Sequence, residues 1–274
     1  MPELPEVETV LRALEDGLQG RTVRTVRCTW PRLIVTPSPE RFAALLAGRR
    51  FDLFRRRGKY LLLGLDDGHT LIVHLRMTGA LRIHTREEAA ARPPDRHTHV
   101  VFHLDRGDEL RFRDPRKFGR MWLVADPESV VGHLGPEPLD PRLPAEELAR
   151  RLAGRRATIK ALLLDQRILA GIGNIYADEA LHRAGIDPRR PAGSLSVGQV
   201  AALLQAIRTV LAEAIQARGS SLRDYTPPDG PAGTYQEQHR VFRRDGQPCP
   251  VCGTPIRRTV LVQRSTYFCP TCQH

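Results

Sequence analysis

Four cysteines constrain this chain most tightly. They stand as C-P-V-C at 249–252 and C-P-T-C at 269–272, with sixteen residues between the pairs. A two-residue spacer lets each pair bite one ion, and the intervening segment can fold as a hairpin. Four thiolates close a tetrahedral shell and leave no open position for water. Cys249, Cys252, Cys269 and Cys272 are therefore expected to hold one structural Zn2+ rather than a catalytic one. A module this small has little apolar interior, so the metal would supply most of its folding energy. Cys28, alone in TVRTVRCTW, reads as a buried strand residue. The opening MPELPEVETV carries acids where an export signal carries a basic region and an apolar core, so a cytoplasmic location is expected.

Hydrophobic periodicity organises the rest. Leu4, Val7, Leu11, Leu14 and Leu18 share one helical face, which predicts a helix over 3–18. From residue 21 to about 124 the pattern shortens. RTVRTVRCTW, YLLLGLDD, TLIVHLRM, THVVFHLD and ELRFRD read as strands, separated by DDG, RGD and proline-containing turns. Strands in such close succession predict an antiparallel β-sandwich or barrel. HLGPEPLDPRLP interrupts all periodicity and predicts a linker at 134–144. Beyond it AEELARRLAG, ATIKALLLDQ, IYADEALHRAG and SVGQVAALLQAIRTVLAEAIQAR are helical, and 219–237 is a Gly-, Pro- and Ser-rich loop. The expectation is an α+β chain with a β-rich domain over 1–133, a helical domain over 145–238 and a zinc finger over 239–274. No run of eighteen apolar residues occurs, so no membrane partner is expected.

The chain carries 42 Lys and Arg against 31 Asp and Glu, a net charge of +11. That balance favours a polyanionic partner, because neutralising phosphates releases condensed counterions. Arginine-rich codon usage in a G+C-rich genome produces the same bias, so charge alone does not select nucleic acid. Lysine occurs only at Lys59, Lys117 and Lys160. Arg stays protonated, so a lysine retained in so arginine-rich a chain hints at a need for an amine that can release a proton.

A second amine lies at the start of the chain. Removal of Met1 before the small Pro2 exposes a secondary amine less basic than lysine's, able to attack an electrophilic sugar carbon and form an iminium. Glu3 stands beside it and Glu6 one turn further. The same residues suit a plain helix start, with proline in the first turn and acids facing the macrodipole, and spacing does not choose between the two. G-I-G-N at 171–174 predicts a turn into a helix capped by Asn174, whose free N–H groups make a phosphate site. Arg155 and Lys160, on the preceding segment, are expected to face the same phosphate. His97 and His99 fall on one strand face, yet a second metal is not expected there, and His99 and His103 read as structural.

These motifs together resemble one family. MPELPEVETV is similar to the start of formamidopyrimidine-DNA glycosylases, which remove 8-oxoguanine and ring-opened purines. The similarity continues through G-K-Y at 58–60, H-L-R-M-T-G at 74–79, D-P-R-K-F-G at 114–119, G-I-G-N-I-Y-A-D-E at 171–179, the loop from Ser220, and the finger with Gln263-Arg264. The second proline lies in L-P-E rather than G-P-E. That resembles this branch more than the endonuclease VIII branch, which prefers oxidised pyrimidines.

The resemblance implies a bifunctional DNA glycosylase and AP lyase, acting on double-stranded DNA that contains oxidised bases or abasic sites. It implies Pro2 as nucleophile at C1′, Glu3 as general acid/base at the sugar ring oxygen and Glu6 as its support. Lys59 would transfer the proton of the first elimination. Arg264 would serve the second, although a guanidinium is chiefly a phosphate clamp. Met77, Arg116 and Phe118 match the residues that fill the gap left by an everted base, with Lys117 among the DNA contacts. His74 and His97 would touch phosphate, and Asn174 would belong to a helix–two-turn–helix element. Ser220, Arg223 and Tyr225 would lie in the loop over the lesion. One departure stands out: where the family often has V-Y-G-R, this chain has Val241-Phe242-Arg243-Arg244, which removes a hydroxyl and adds a charge. An altered DNA grip with intact catalysis is expected, from a monomer. The alternatives are an endonuclease VIII-like enzyme and a non-catalytic zinc-ribbon DNA-binding protein; the retained Pro2, Glu3, Lys59 and Asn174 count against the latter.

Overall fold

The computed structural model describes residues 1–221 and 233–274. The chain divides between His133 and Leu134 into two compact units, and Glu3–Pro5 belong with the second.

The first unit begins in helix α1 (Leu4–Leu18) and continues through β1 (Val23–Cys28), β2 (Ile34–Thr36), α2 (Pro39–Leu46), β3 (Phe51–Arg57), β4 (Tyr60–Leu65), β5 (Thr70–His74), β6 (Ala80–His84), α3 (Arg86–Ala91), β7 (Thr98–Leu104), β8 (Glu109–Arg113), β9 (Arg120–Val124) and α4 (Glu128–Val131). A four-stranded sheet has the order β1-β7-β8-β6, and a five-stranded sheet the order β2-β9-β5-β4-β3. Every pair is antiparallel except β2 with β9, a departure from the purely antiparallel expectation. Val7, Leu11, Leu14 and Leu18 of α1 join one core with Leu61, Leu63, Leu71 and Val73 of one sheet and Val100, Phe102, Leu110 and Phe112 of the other. Burying such side chains contributes about 1.5–3 kcal/mol each. Cys28 ends β1 half-buried rather than buried.

Periodicity missed β2, β3, β6 and β9, and the short helices α2, α3 and α4. β3 (FDLFRRR) carries too many charges to read as a strand, yet it pairs with β4 over its whole length. The caps of α2 and α3 were legible. Ser38 accepts from Arg41 N ahead of Pro39, and Thr85 and Glu88 form a reciprocal capping box.

The second unit contains α5 (Ala145–Leu152), α6 (Ile159–Leu164), α7 (Asn174–Arg183), α8 (Val197–Gln216) and the hairpin β10 (Arg257–Leu261) with β11 (Arg264–Phe268). Helix α8 is long and apolar enough to cross a membrane by composition. Its residues Val200, Leu203, Leu204, Ile207, Val210 and Leu211 instead form the core against α5 and α7. Residues 134–144 are held against this unit, because the Arg208 guanidinium donates to the carbonyls of Pro138, Asp140 and Leu143 at 3.0, 2.9 and 2.8 Å.

Helix α7 is buried from Ile175 to His182, two carboxylates included. Buried carboxylates have to be paired or hydrogen-bonded. Glu179 accepts from the backbone N–H groups of Arg240, Val241 and Phe242 at 2.9, 3.0 and 2.8 Å. Asp178 accepts from Lys160 Nζ at 2.7 Å and from Tyr267 N at 3.0 Å. Burial still dominates: it pushes the Asp178 carboxyl up to about 7 and the Lys160 ammonium down. Asp178→Ala should therefore cost about 3–5 kcal/mol by leaving a buried ammonium unpaired. Adding Lys160→Met should recover part of that loss in urea unfolding, and a double variant no more stable than the single one would refute this account.

Candidate active site and nucleic-acid interface

In the second unit the chain start meets the start of α7. Leu4 N donates to Gly171 O at 3.1 Å, and Ile175 N donates to Glu3 Oε1 at 3.1 Å. A Cβ on Gly173 would lie 2.3 Å from Glu3 Cδ and 2.5 and 2.7 Å from its oxygens, so only glycine admits the carboxylate. Gly171 has φ +88°, and a Cβ there would meet Leu4 Cδ1 at 2.6 Å. Glu3 is thus buried at the positive end of a helix.

This corrects the expected cap. The N-cap position is Gly173, and Asn174 is the first helical residue with no side-chain cap bond. The Asn174 amide instead donates from Nδ2 to Ser265 O at 2.9 Å, and Oδ1 is buried with no hydrogen-bond partner among the described residues. Because Glu3 takes the Ile175 N–H, that donor does not face outward to a phosphate.

Lys160 is a second correction. It is 0 % exposed, and Nζ donates to Asp178, to Thr266 Oγ1 at 2.8 Å and to Ser265 O at 3.2 Å. An ammonium with three such partners and no exposed surface holds the finger hairpin to α7, where a residue facing outward was expected. Arg155 is exposed in the α5–α6 connection. Arg264, also exposed, opens β11 after the two-residue turn Val262-Gln263, whose φ values of +43° and +60° mark a type I′ turn built without glycine. Ser220 is buried with Oγ 3.1 Å from His239 Nε2. Arg223 and Tyr225 lie outside the described residues.

The four cysteine sulfurs lie within 4.8 Å of one another. Cys249–Cys272 and Cys252–Cys269 are 3.9 and 3.5 Å apart. A tetrahedron with Zn–S bonds of about 2.3 Å has edges of about 3.8 Å, so the four sulfurs fit one zinc ion. His182 Nε2 lies 3.4 Å from Cys249 Sγ. Gln273 ties the second knuckle down, accepting from Cys269 N at 2.8 Å and donating to Ile186 O at 2.9 Å.

Phe242 is buried, edge-on to His239 and Tyr267 with centroids 5.4 and 5.3 Å away. Arg243, where the family often has glycine, has φ +59°. A left-handed residue other than glycine costs roughly 1–2 kcal/mol, and the guanidinium lies 5.8 Å from the Phe242 ring.

In the first unit, Gly58 and Lys59 are the two-residue loop of the β3–β4 hairpin. Gly58 at φ +56° suits the first position of a type II′ turn. Lys59 is buried there. Tyr60 pairs with His74 across β4 and β5, its ring edge-on at 4.5 Å. His74 Nδ1 accepts from Arg76 N at 3.0 Å, which leaves the ring proton on Nε2. Burial, then the charges of Arg76 and Lys59, lower the His74 pKa to about 3. His97 is half-buried beside Arg96, whose Nε is 3.2 Å from His97 Nε2. Met77 is half-buried in the loop after β5. Arg116, Lys117 and Phe118 are exposed between β8 and β9, with Arg116 4.8 Å above the Phe118 ring and Lys117 Nζ 4.1 Å from the Trp30 ring. Pro2 and Glu6 are buried, and Met1 is 42 % exposed.

Three family models match in succession: the formamidopyrimidine-DNA glycosylase N-terminal domain over 1–121, its H2TH domain over 134–226, and a zinc finger found in FPG and IleRS over 246–274. Among curated relatives, formamidopyrimidine-DNA glycosylase of Chloroflexus aggregans is 54% identical over 100% of this chain and 98% of its own. That of Herpetosiphon aurantiacus is 50% identical over the whole of both. Among solved structures, MutM (Fpg) of Thermus thermophilus matches with a TM-score of 0.88 at 44% identity, covering 99% of this chain and 98% of that one. A Lactococcus lactis Fpg mutant in complex with a Fapy-dG containing DNA matches with a TM-score of 0.91 at 34% identity, covering all of both chains. The chain belongs to the formamidopyrimidine-DNA glycosylase family.

Two outcomes follow from this geometry. Cys269→Ser should drop zinc below one ion per chain by metal analysis and weaken duplex DNA binding; full zinc with normal binding would refute it. Burial also lowers His239 to about 4. With His74 at about 3 and an unfolded value near 6.5, the unfolded chain takes up protons first as pH falls. The stability these groups contribute is complete above about pH 6.5 and is lost toward pH 4 and below. Ring 15N shifts should show both imidazoles neutral at pH 5, and titration of either near pH 6.5 in the folded protein would contradict this.

Proposed function

We propose that this chain excises oxidised purines, 8-oxoguanine and formamidopyrimidines, from double-stranded DNA and then cuts the strand by β,δ-elimination. The observation that carries the reading is the seat of Glu3, a buried carboxylate held by Ile175 N–H in a hollow that Gly173 alone leaves open. Pro2 is its neighbour along the chain.

Once Met1 is removed, the Pro2 amine attacks C1′, the bond from C1′ to the base breaks, and the base leaves with a proton. Glu3 gives a proton to the sugar ring oxygen as the C1′–O4′ bond breaks, which opens the ring and leaves C1′ and the Pro2 nitrogen as an iminium. The resulting iminium acidifies C2′. Loss of that proton, in which Lys59 acts, expels the 3′-phosphate, and a second elimination with Arg264 on the phosphate expels the 5′-phosphate. Met77, Arg116 and Phe118 fill the gap left by the everted base. Of the solved relatives, one Lactococcus lactis structure holds a Fapy-dG containing DNA and another an abasic site containing DNA, the two kinds of DNA on which the proposed excision and strand cutting would act. One chain suffices, working in the cytoplasm on the nucleoid.

Borohydride tests the reading. With Met1 removed, the protein should leave a reduced covalent adduct on an 8-oxoguanine duplex and little on a thymine glycol duplex. Retaining Met1 should abolish the adduct while salt-sensitive DNA binding survives. No adduct on any oxidised duplex would sink the proposal, and a preference for thymine glycol would reassign the lesion.

A further inference from the structure

The loop 75–79 after β5 carries Met77, and the loop 114–119 between β8 and β9 carries Arg116 and Phe118. One carboxylate serves both. Asp114 is fully buried. Its Oδ1 accepts from Thr78 Oγ1 at 2.5 Å and from Arg116 N at 3.2 Å, and its Oδ2 accepts from Phe118 N and Gly119 N, each at 2.8 Å. Its backbone carbonyl accepts from His99 Nε2 at 2.9 Å and from Lys117 N at 3.2 Å. The loops also share a floor. A Cβ on Gly79 would lie 2.9 Å from Phe112 Cζ, and one on Gly119 2.3 Å from the same atom.

We infer that Asp114 is a positioning residue that locks the two loops into one insert, so that Met77, Arg116 and Phe118 enter the gap left by an everted base together. The inference rests on the glycosylase reading above. Three side chains on independent loop tips would each lose conformational freedom at the moment of insertion, whereas a pre-ordered set has already lost it. The chemistry demands a carboxylate. Four donors converge on two oxygens, and an amide would turn an N–H2 group toward one pair of them. Held this way at its backbone N–H, Phe118 is 44 % exposed.

The test compares two substrates with Asp114→Asn in the full chain. The first is a duplex with one 8-oxoguanine, from which a base must be evicted and a gap filled. The second is a single-stranded oligonucleotide with an abasic site, which has neither demand. The single-turnover rate on the duplex should fall about tenfold or more, while borohydride trapping on the single strand should stay within about twofold of wild type. Thr78→Val, which removes one donor, should move the duplex rate the same way by a smaller factor. Combined with Asp114→Asn it should cost less than the product of the two. Equal losses on both substrates, or no loss on either for both variants, would overturn the inference. So would a duplex-to-single-strand ratio that Phe118→Ala leaves untouched. If wild type traps neither substrate, the glycosylase reading fails first, and the two failures are thereby told apart.

Discussion

Helix α7 is surrounded by protein, so its polar groups have to be answered from distant parts of the chain. Its first turn has no side chain to cap it, because the cap position is Gly173, and the carboxylate of Glu3 takes the Ile175 N–H instead. Its two adjacent acids reach opposite legs of the finger, Asp178 to β11 and Glu179 to the segment 240–242 that leads to the first cysteine pair. One helix therefore fixes the chain start and the zinc module together. The acids in I-Y-A-D-E and the glycines in G-I-G-N are parts of the same solution.

This arrangement also sorts the basic residues. Lys160 is consumed by the network that joins α7 to the hairpin, and Arg208 by the carbonyls of 138–143. Arg155, Arg243 and Arg264, by contrast, are exposed. Three positions around the finger carry left-handed backbone without glycine: Arg243, Gln263 and Val262, the last a β-branched residue 58 % exposed at the turn before Arg264. In the first unit, His74 is kept neutral by burial and by two nearby cations. Any phosphate it meets is met by an Nε2–H dipole, not by an imidazolium charge.

The sandwich supplies rigid ground for mobile chemistry. Lys59 sits in the tightest connection two antiparallel strands allow, and the residues assigned to the DNA gap lie on loops that rest on Phe112 and on one buried carboxylate.

Much of this was legible in the residues themselves. The cysteine spacing determined the zinc site, because a two-residue spacer and four thiolates leave little geometric choice. The apolar stripe of α1 and the long periodic run of α8 determined those helices. Charged strands such as β3 were not legible, since their pairing comes from neighbours and not from their own alternation. The roles of Asn174 and Lys160 misread for the same reason: a residue's partners are decided by what the fold brings to it. From local sequence, an asparagine before an apolar run is a cap and a lone lysine is a surface charge. Only the tertiary structure placed Glu3 where the cap would act and closed protein around Lys160, because burial and long-range hydrogen bonds are properties of the packed chain and of no single segment.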